Sequence, residues 1–146
     1  MADRIEKAVK AFDCDSCNCS QAIARVFGPE VGLEDQAAMG AGMGFGGGVG
    51  RQGLVCGALT GAVLVLGCKA NAEEPNPVKA MDLSFRLVET FMQRFRERHG
   101  SVNCKDLLGV DLATEEGRRT NQEQGLTRTV CPNFVRSAAQ ILDEMI

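Results

Sequence analysis

The chain has 146 residues, a formal net charge of −3, 45% hydrophobic residues and only 5% aromatic residues. This length fits one domain, 1–146, that buries a hydrophobic core. Nucleic-acid-binding proteins usually carry a basic face, so the acidic balance predicts no nucleic-acid partner. The 17 glycines and 7 cysteines are the two departures from an average composition.

The N-terminus and the most apolar segment bear on location. Residues 1–7 are mostly charged or small, so they do not resemble a secretory signal. The most apolar run, 54–67, is shorter than the roughly 20 residues that a membrane-spanning helix needs. We therefore expect a cytoplasmic protein without a membrane span. In that compartment thiols stay reduced unless they are catalytic or bound to a metal.

Apolar residues spaced three and four apart predict an all-α fold, a compact bundle of five to six helices. The first helix is expected over 3–12. The second follows Asn18, a favoured N-cap residue, and ends at Phe27. A short helix is expected over 34–39, and a glycine-rich tract at 40–50 separates it from the next helix.

The second half of the chain continues the helical pattern. Segment 54–66 is apolar on nearly every side, which predicts a central helix. The longest helix is expected over 78–99, and a short one begins near Cys104. Segment 110–130 is polar and irregular, which predicts a surface loop, and Pro132 favours the start of the final helix. The apolar stripe of the longest helix comprises Val78, Met81, Phe85, Val88, Met92 and Phe95.

Four cysteines, Cys19, Cys56, Cys104 and Cys131, each lie at or near a predicted helix start. The unpaired N–H groups at a helix start carry partial positive charge, which stabilises a thiolate and lowers its pKa. The thiolate is the form that attacks disulfides and binds metals. The alternative is that these cysteines are small apolar side chains of the core.

The other three cysteines, Cys14, Cys17 and Cys68, have less defined roles. Cys14 and Cys17 form a CxxC pair, but no predicted strand precedes it as in thioredoxin-like proteins. No histidine follows it, so no haem is expected. Cys14, Cys17 and Cys19 are alternatively three ligands of a metal ion. Cys68 closes an apolar helix, which indicates a core residue.

The glycine-rich tract contains a GxGxxG sequence at 42–47, but without a preceding strand it indicates no nucleotide site. We expect instead a backbone loop that passes close to Cys56 and donates N–H groups to sulfur or to a cofactor. The glycines in that role are Gly46, Gly47 and Gly48. The single histidine, His99, is expected to be a cation at the end of the longest helix.

Several short motifs together resemble the C_GCAxxG_C_C family of redox-active proteins, over roughly 5–142. They are Asn18-Cys19-Ser20-Gln21, Phe45-Gly46-Gly47-Gly48-Val49-Gly50, Cys56-Gly57-Ala58-Leu59-Thr60-Gly61, Gly100-Ser101-Val102-Asn103-Cys104 and Cys131. The resemblance implies an all-helical single domain in a bacterial or archaeal cell, with Cys19, Cys56, Cys104 and Cys131 as the family's cysteines. The chain is also similar to part of the split-Soret cytochromes, which implies a cysteine-bound iron–sulfur site.

Three functions stay open at this point. In the first, two of the four cysteines form a reversible disulfide, which makes the protein an oxidoreductase with an unidentified redox protein as partner. In the second, Cys19, Cys56, Cys104 and Cys131 hold an iron–sulfur cluster or another metal in an electron carrier or sensor. In the third, the chain is an interaction module whose cysteines fill the core. A homodimer is compatible with each.

Overall fold

A computed structural model describes residues 2–14 and 16–146, with side chains for all of these except Ala2 and Cys14. Over these residues, extended pairing is limited to a single bridge between Val55 and Asn103. The prediction of an all-α fold is confirmed. The helices of five or more residues are α1 (Ala2–Cys14), α2 (Cys19–Phe27), α3 (Asp35–Met43), α4 (Gly57–Glu73), α5 (Pro77–His99), α6 (Cys104–Leu108), α7 (Glu115–Gln124) and α8 (Cys131–Met145).

Helix α4 lies at the centre of the fold and packs against α2, α5 and α8. Two glycines one turn apart on α4 allow α2 to approach closely. A Cβ atom at Gly61 would lie only 2.6 Å from the carbonyl oxygen of Ser20, and one at Gly57 would lie 3.0 Å from the Cβ of Cys19. The prediction of a central apolar helix is confirmed, and its glycines set the distance between Cys19 and the start of α4.

The start of α2 is held by a capping box. The side-chain oxygen of Asn18 accepts a hydrogen bond from the Gln21 N–H at 2.9 Å, and Gln21 Oε1 accepts one from the Asn18 N–H at 3.0 Å. The same two side chains donate to the end of α3, Asn18 to the Met43 carbonyl and Gln21 to the Met39 carbonyl, each at 2.9 Å. Cys19, the first residue of α2, is therefore anchored to two helices at once.

The glycine-rich tract between α3 and α4 forms a left-handed turn. Five consecutive residues, 47–51, have φ angles between +60° and +72°. Two of them, Val49 and Arg51, carry side chains, for which this conformation costs about 1–2 kcal/mol per residue. A backbone hydrogen bond of 3.0 Å from the Leu54 N–H to the Gly48 carbonyl closes the turn onto the segment that leads into α4.

The expectation of a surface loop over 110–130 is wrong. Helix α7 and a helical turn, Leu126–Thr129, occupy most of this segment. The Thr114 hydroxyl accepts a hydrogen bond from the Gly117 N–H at 2.9 Å and caps α7, and Gly125 ends the helix with a φ of +62°. These capping residues mark the two ends of α7. The helix was missed from the sequence because it is polar, so the apolar spacing that predicts a helix is absent from it.

The apolar stripe predicted on α5 is only partly buried. Val78, Met81 and Phe85 are 71%, 58% and 63% exposed, whereas Phe95 is fully buried together with Phe91. Spacing along a helix indicates an apolar face, but it does not indicate whether another element covers that face. Within the described part of the chain, no helix is both long enough and apolar enough to cross a membrane.

Candidate functional site

The side chains of Cys19, Cys56, Cys104 and Cys131 line one cavity of about 780 Å³. Cys56 precedes α4 directly, and the other three are the first residues of α2, α6 and α8. All four are free thiols; Cys56 and Cys104 are buried, while Cys19 and Cys131 are half-buried. The fold thus brings four cysteines that are distant in sequence to the wall of one cavity.

Backbone hydrogen bonds join the segment that contains Cys56 to the segment that contains Cys104. The Cys56 N–H donates to the carbonyl of Val102 at 2.8 Å, and the Cys104 N–H donates to the carbonyl of Leu54 at 2.6 Å. These two hydrogen bonds flank the bridge between Val55 and Asn103. The segments before α4 and before α6 thus form a small two-stranded clamp, which fixes the relative position of the two buried thiols.

The glycine-rich tract contacts Cys104 through Gly48, and it also lies beside the start of α4, since the Phe45 carbonyl oxygen would be 3.3 Å from a Cβ atom at Gly57. A Cβ atom at Gly48 would lie 2.7 Å from the Cβ of Cys104. The absence of a side chain at Gly48 therefore makes room for this cysteine. All three glycines assigned from the sequence line the cavity, namely Gly46, Gly47 and Gly48.

Burial dominates the acidity of the two inner thiols. It raises the pKa of Cys56 to about 12, even though N–H groups of Ala58 and Leu59 at the start of α4 stabilise the thiolate. Burial also raises the pKa of Cys104 to about 11, and negative groups nearby raise it further. The prediction that a helix start lowers the pKa is wrong for these two cysteines, because desolvation outweighs the helix-start hydrogen bonds.

Cys19 and Cys131 form a hydrogen-bonded pair with opposite shifts. The hydrogen bond with the Cys19 thiol lowers the pKa of Cys131, and this effect outweighs burial. The same hydrogen bond, together with burial and the other thiols, raises the pKa of Cys19 well above its usual value. Only Cys131 has the lowered pKa that was predicted for all four, and the cause is the neighbouring thiol.

The remaining wall of the cavity has an apolar side and a polar side. The apolar side chains are Phe12, Met43, Leu107, Leu108, Leu112 and Phe134. The polar ones are Asn18, Arg51, Arg118, Asn121, Gln122 and Thr127. Four of the polar residues come from α7 and the turn after it, which sequence reasoning placed in a loop and therefore missed. The capping pattern that begins at Thr114 is the signal that would have identified that helix.

The other cysteines lie away from this cavity or outside the described side chains. Cys17 is buried, with its sulfur 3.8 Å from the Met39 sulfur and 3.9 Å from Arg25 Nη1. The side chain of Cys14 is outside the described residues, so a metal site shared with it stays a prediction. Cys68 is half-buried on α4, and burial raises its pKa. Over the described side chains, no three His, Cys, Asp or Glu residues are placed to hold a metal ion.

His99 supports the aromatic wall, and the expectation of a cation there is wrong. Its Nε2 lies 2.8 Å from the hydroxyl oxygen of Ser137. The centre of its ring is 4.5 Å from that of Phe95 and 5.1 Å from that of Phe134, which lines the cavity. Burial and the adjacent Arg98 lower the pKa of His99, so the neutral ring is favoured at pH 7.

Comparison with known proteins agrees with the motifs. A family model described as "Putative redox-active protein (C_GCAxxG_C_C)" matches residues 17–145. The matched range includes the four cysteines of the cavity. No curated protein and no solved structure matches the chain.

Proposed function

Since the chain belongs to the C_GCAxxG_C_C family of redox-active proteins, we propose that Cys19 and Cys131 are a dithiol that exchanges with disulfides. The position of the two half-buried thiols at one cavity supports this proposal, and the interaction with Cys19 lowers the pKa of Cys131, which favours its thiolate. A thiolate is the attacking species in exchange, and a second thiol in contact with it resolves the mixed disulfide.

The reaction consists of two displacements at sulfur. The Cys131 thiolate attacks one sulfur of the substrate disulfide, the substrate S–S bond breaks, and the first substrate thiolate leaves and takes up the proton that Cys131 had released. The Cys19 sulfur then attacks Cys131 in the mixed disulfide, and the Cys19 proton goes to the second departing thiolate. One substrate disulfide and two protein thiols become two substrate thiols and one protein disulfide, so two electrons pass from the protein to the substrate.

The inner cysteines have a different place in this scheme. With pKa values of about 12 and about 11, Cys56 and Cys104 stay protonated at neutral pH. Since the neutral thiol is a poor nucleophile, we assign neither of them to the first attack. Their burial also protects them from reagents in solution, which leaves the half-buried pair as the site where a substrate disulfide reacts.

Counting thiols and mapping disulfides test the proposal. Mild oxidation of the reduced protein should remove two free thiols and give one crosslinked peptide pair containing Cys19 and Cys131. Cys131→Ser should abolish the crosslink, and Cys68→Ser, a change on α4 away from the cavity, should leave it intact. An unchanged thiol count in the wild-type protein would contradict the proposal, as would a crosslink that persists in Cys131→Ser.

A four-cysteine iron–sulfur cluster is the second candidate function. Its support is that every one of the four thiols interacts electrostatically with the other three around one cavity. Four thiolates are the usual donor set of [2Fe–2S] and [4Fe–4S] clusters. The residues that would hold the cluster are Cys19, Cys56, Cys104 and Cys131, and the cluster would supply one-electron transfer. Since no three of the described side chains are placed to hold a metal ion, the four sulfur atoms would have to move closer together to bind it.

Anaerobic purification separates the two candidates. A cluster requires iron and acid-labile sulfide in stoichiometric amounts and gives visible absorption. The iron, the sulfide and the absorption should be lost in Cys56→Ser and retained in the control variant Cys68→Ser. A protein that is colourless and metal-free under these conditions, yet forms the Cys19–Cys131 disulfide, would exclude the cluster and favour the dithiol.

A further inference from the structure

The cavity wall carries a charge opposite to that of the whole chain. The chain has a net charge of −3, but the described residues that line the cavity include Arg51 and Arg118 and no Asp or Glu. Asp111, the carboxylate that influences Cys104, is not part of the wall. Within the described part of the chain, neither arginine forms an ion pair. Two arginines without an ion-pair partner among the described residues therefore line the same cavity as the thiols.

The local backbone places both arginines on this wall. Arg51 has a φ of +65° within the left-handed turn, and its Cγ lies 3.0 Å from the position of a Cβ at Gly47, so its side chain passes over that glycine. Arg118 donates from Nη1 to the carbonyl of Leu112 at 2.8 Å. A guanidinium has five N–H donors, so this hydrogen bond orients Arg118 and leaves donors for a ligand.

We propose that the cavity binds a small disulfide that carries carboxylate groups, with these groups at Arg51 and Arg118 and its sulfur atoms at Cys131. This inference rests on the thiol–disulfide function proposed above and names its substrate class. The guanidinium fork matches a carboxylate with two parallel hydrogen bonds. The volume of about 780 Å³ lies within the range of about 300–1,000 Å³ that small-molecule sites occupy.

The apolar side of the cavity suits the hydrocarbon part of such a ligand. Leu107, Leu112 and Phe134 face the cavity, and they suit the methylene groups that join sulfur to carboxylate in an organic disulfide. The reaction needs no additional reductant for one turnover. The substrate S–S bond breaks, two substrate thiols leave, and the two electrons come from Cys19 and Cys131 as they join.

A single-turnover experiment tests the anion preference. Reduced protein is mixed with oxidised glutathione, which carries carboxylates, or with hydroxyethyl disulfide, which is neutral, and the loss of protein thiols is followed. Arg51→Gln and Arg118→Gln should each slow the reaction with oxidised glutathione by about tenfold, because the arginines raise the local concentration of the anion. The rate with hydroxyethyl disulfide should change by less than about twofold.

A matched control lies next to one of the arginines. Arg119 is on α7 beside Arg118 and pairs with Glu115 at 3.7 Å, and it is not among the residues that line the cavity. Arg119→Gln changes the net charge by the same amount and should leave both rates as in the wild type. Arg118→Lys keeps the charge and should recover part of the rate with oxidised glutathione.

The outcomes separate this inference from the proposed function. If the arginine variants slow both disulfides equally, or if Arg119→Gln slows oxidised glutathione as much as Arg118→Gln does, the anion site is refuted while the dithiol chemistry stands. If the wild-type protein reacts with neither disulfide, the proposed function fails and the substrate assignment fails with it. A lower rate that is confined to oxidised glutathione and to the variants of Arg51 and Arg118 supports both the dithiol function and the anion site.

Discussion

Substitution of Gly48 by alanine tests how the glycine-rich tract positions a cysteine. Gly48 has a φ of +72°, where a side chain costs about 1–2 kcal/mol. Its Cβ would lie 2.6 Å from the backbone nitrogen of Leu54 and 2.7 Å from the Cβ of Cys104. Neither atom is at the end of a flexible side chain, so the backbone must shift, at about 1–3 kcal/mol. Gly48→Ala should therefore lower the free energy of unfolding by about 2–5 kcal/mol.

Two other glycines provide controls for this substitution. Gly50 also has a positive φ, of +60°, but its nearest neighbour is the Gly44 carbonyl oxygen at 3.8 Å, so Gly50→Ala should cost only about 1–2 kcal/mol. Gly67 lies inside α4 with no atom within 4 Å of an added Cβ. Gly67→Ala should stabilise the protein by about 0.5–1 kcal/mol through helix propensity.

Urea unfolding of the three variants measures these differences, provided that the denaturant slope stays constant. Folded Gly48→Ala should also expose Cys104, which a thiol reagent would label faster than in the wild type. A Gly48→Ala variant that is as stable as Gly50→Ala, with unchanged labelling of Cys104, would refute the close approach between the glycine tract and the cysteine.

Four further predictions concern burial and acidity. The Ser20 hydroxyl is buried without a hydrogen-bond partner in the described part of the chain. Ser20→Ala should therefore raise the free energy of unfolding by up to about 1 kcal/mol. A clearly lower free energy of unfolding in urea would contradict this. Phe91 is fully buried and Phe85 is 63% exposed, so Phe91→Ala should cost about 3–5 kcal/mol and Phe85→Ala less than about 0.5 kcal/mol in the same assay. The pKa of Cys131 is lowered and that of Cys56 is raised to about 12. Iodoacetamide near pH 7.5 should therefore modify Cys131 before Cys56, which peptide mass mapping checks. The pKa of the Cys56 thiol is raised in the folded protein above its unfolded value near 9, so its contribution to stability is complete below pH 9 and is lost as the pH rises toward 12. The urea midpoint should therefore fall over that range, and it should fall less in Cys56→Ala.

The helical pattern of the chain was predictable because local signals specify it. Asn18 caps α2 as expected, and Gly100 ends α5 with a φ of +79°. Gly57 and Gly61 are small residues one turn apart on α4, and α2 packs closely against them. Each of these signals acts within one or two turns of helix, so the residue types alone reveal them.

The features that escaped prediction depend on contacts between distant segments. The exposed half of the α5 stripe, around Phe85, follows from the absence of a covering element over the described residues. The contact of Gly48 with Cys104 depends on how two remote loops pair. Residue type and spacing carry no information on either point, since both require knowledge of which elements meet.

The same distinction explains why four similar cysteines have different chemistry. All four occupy helix starts, and a local argument predicts the same lowered pKa for each. Depth separates them, because Cys56 and Cys104 are buried behind the backbone clamp while Cys19 and Cys131 are half-buried. Within the half-buried pair, the interaction between the two thiols raises the pKa of Cys19 and lowers that of Cys131. The different roles of the attacking and the resolving thiol thus follow from position in the fold, and a side chain at Gly57, which would contact Cys19, should change them.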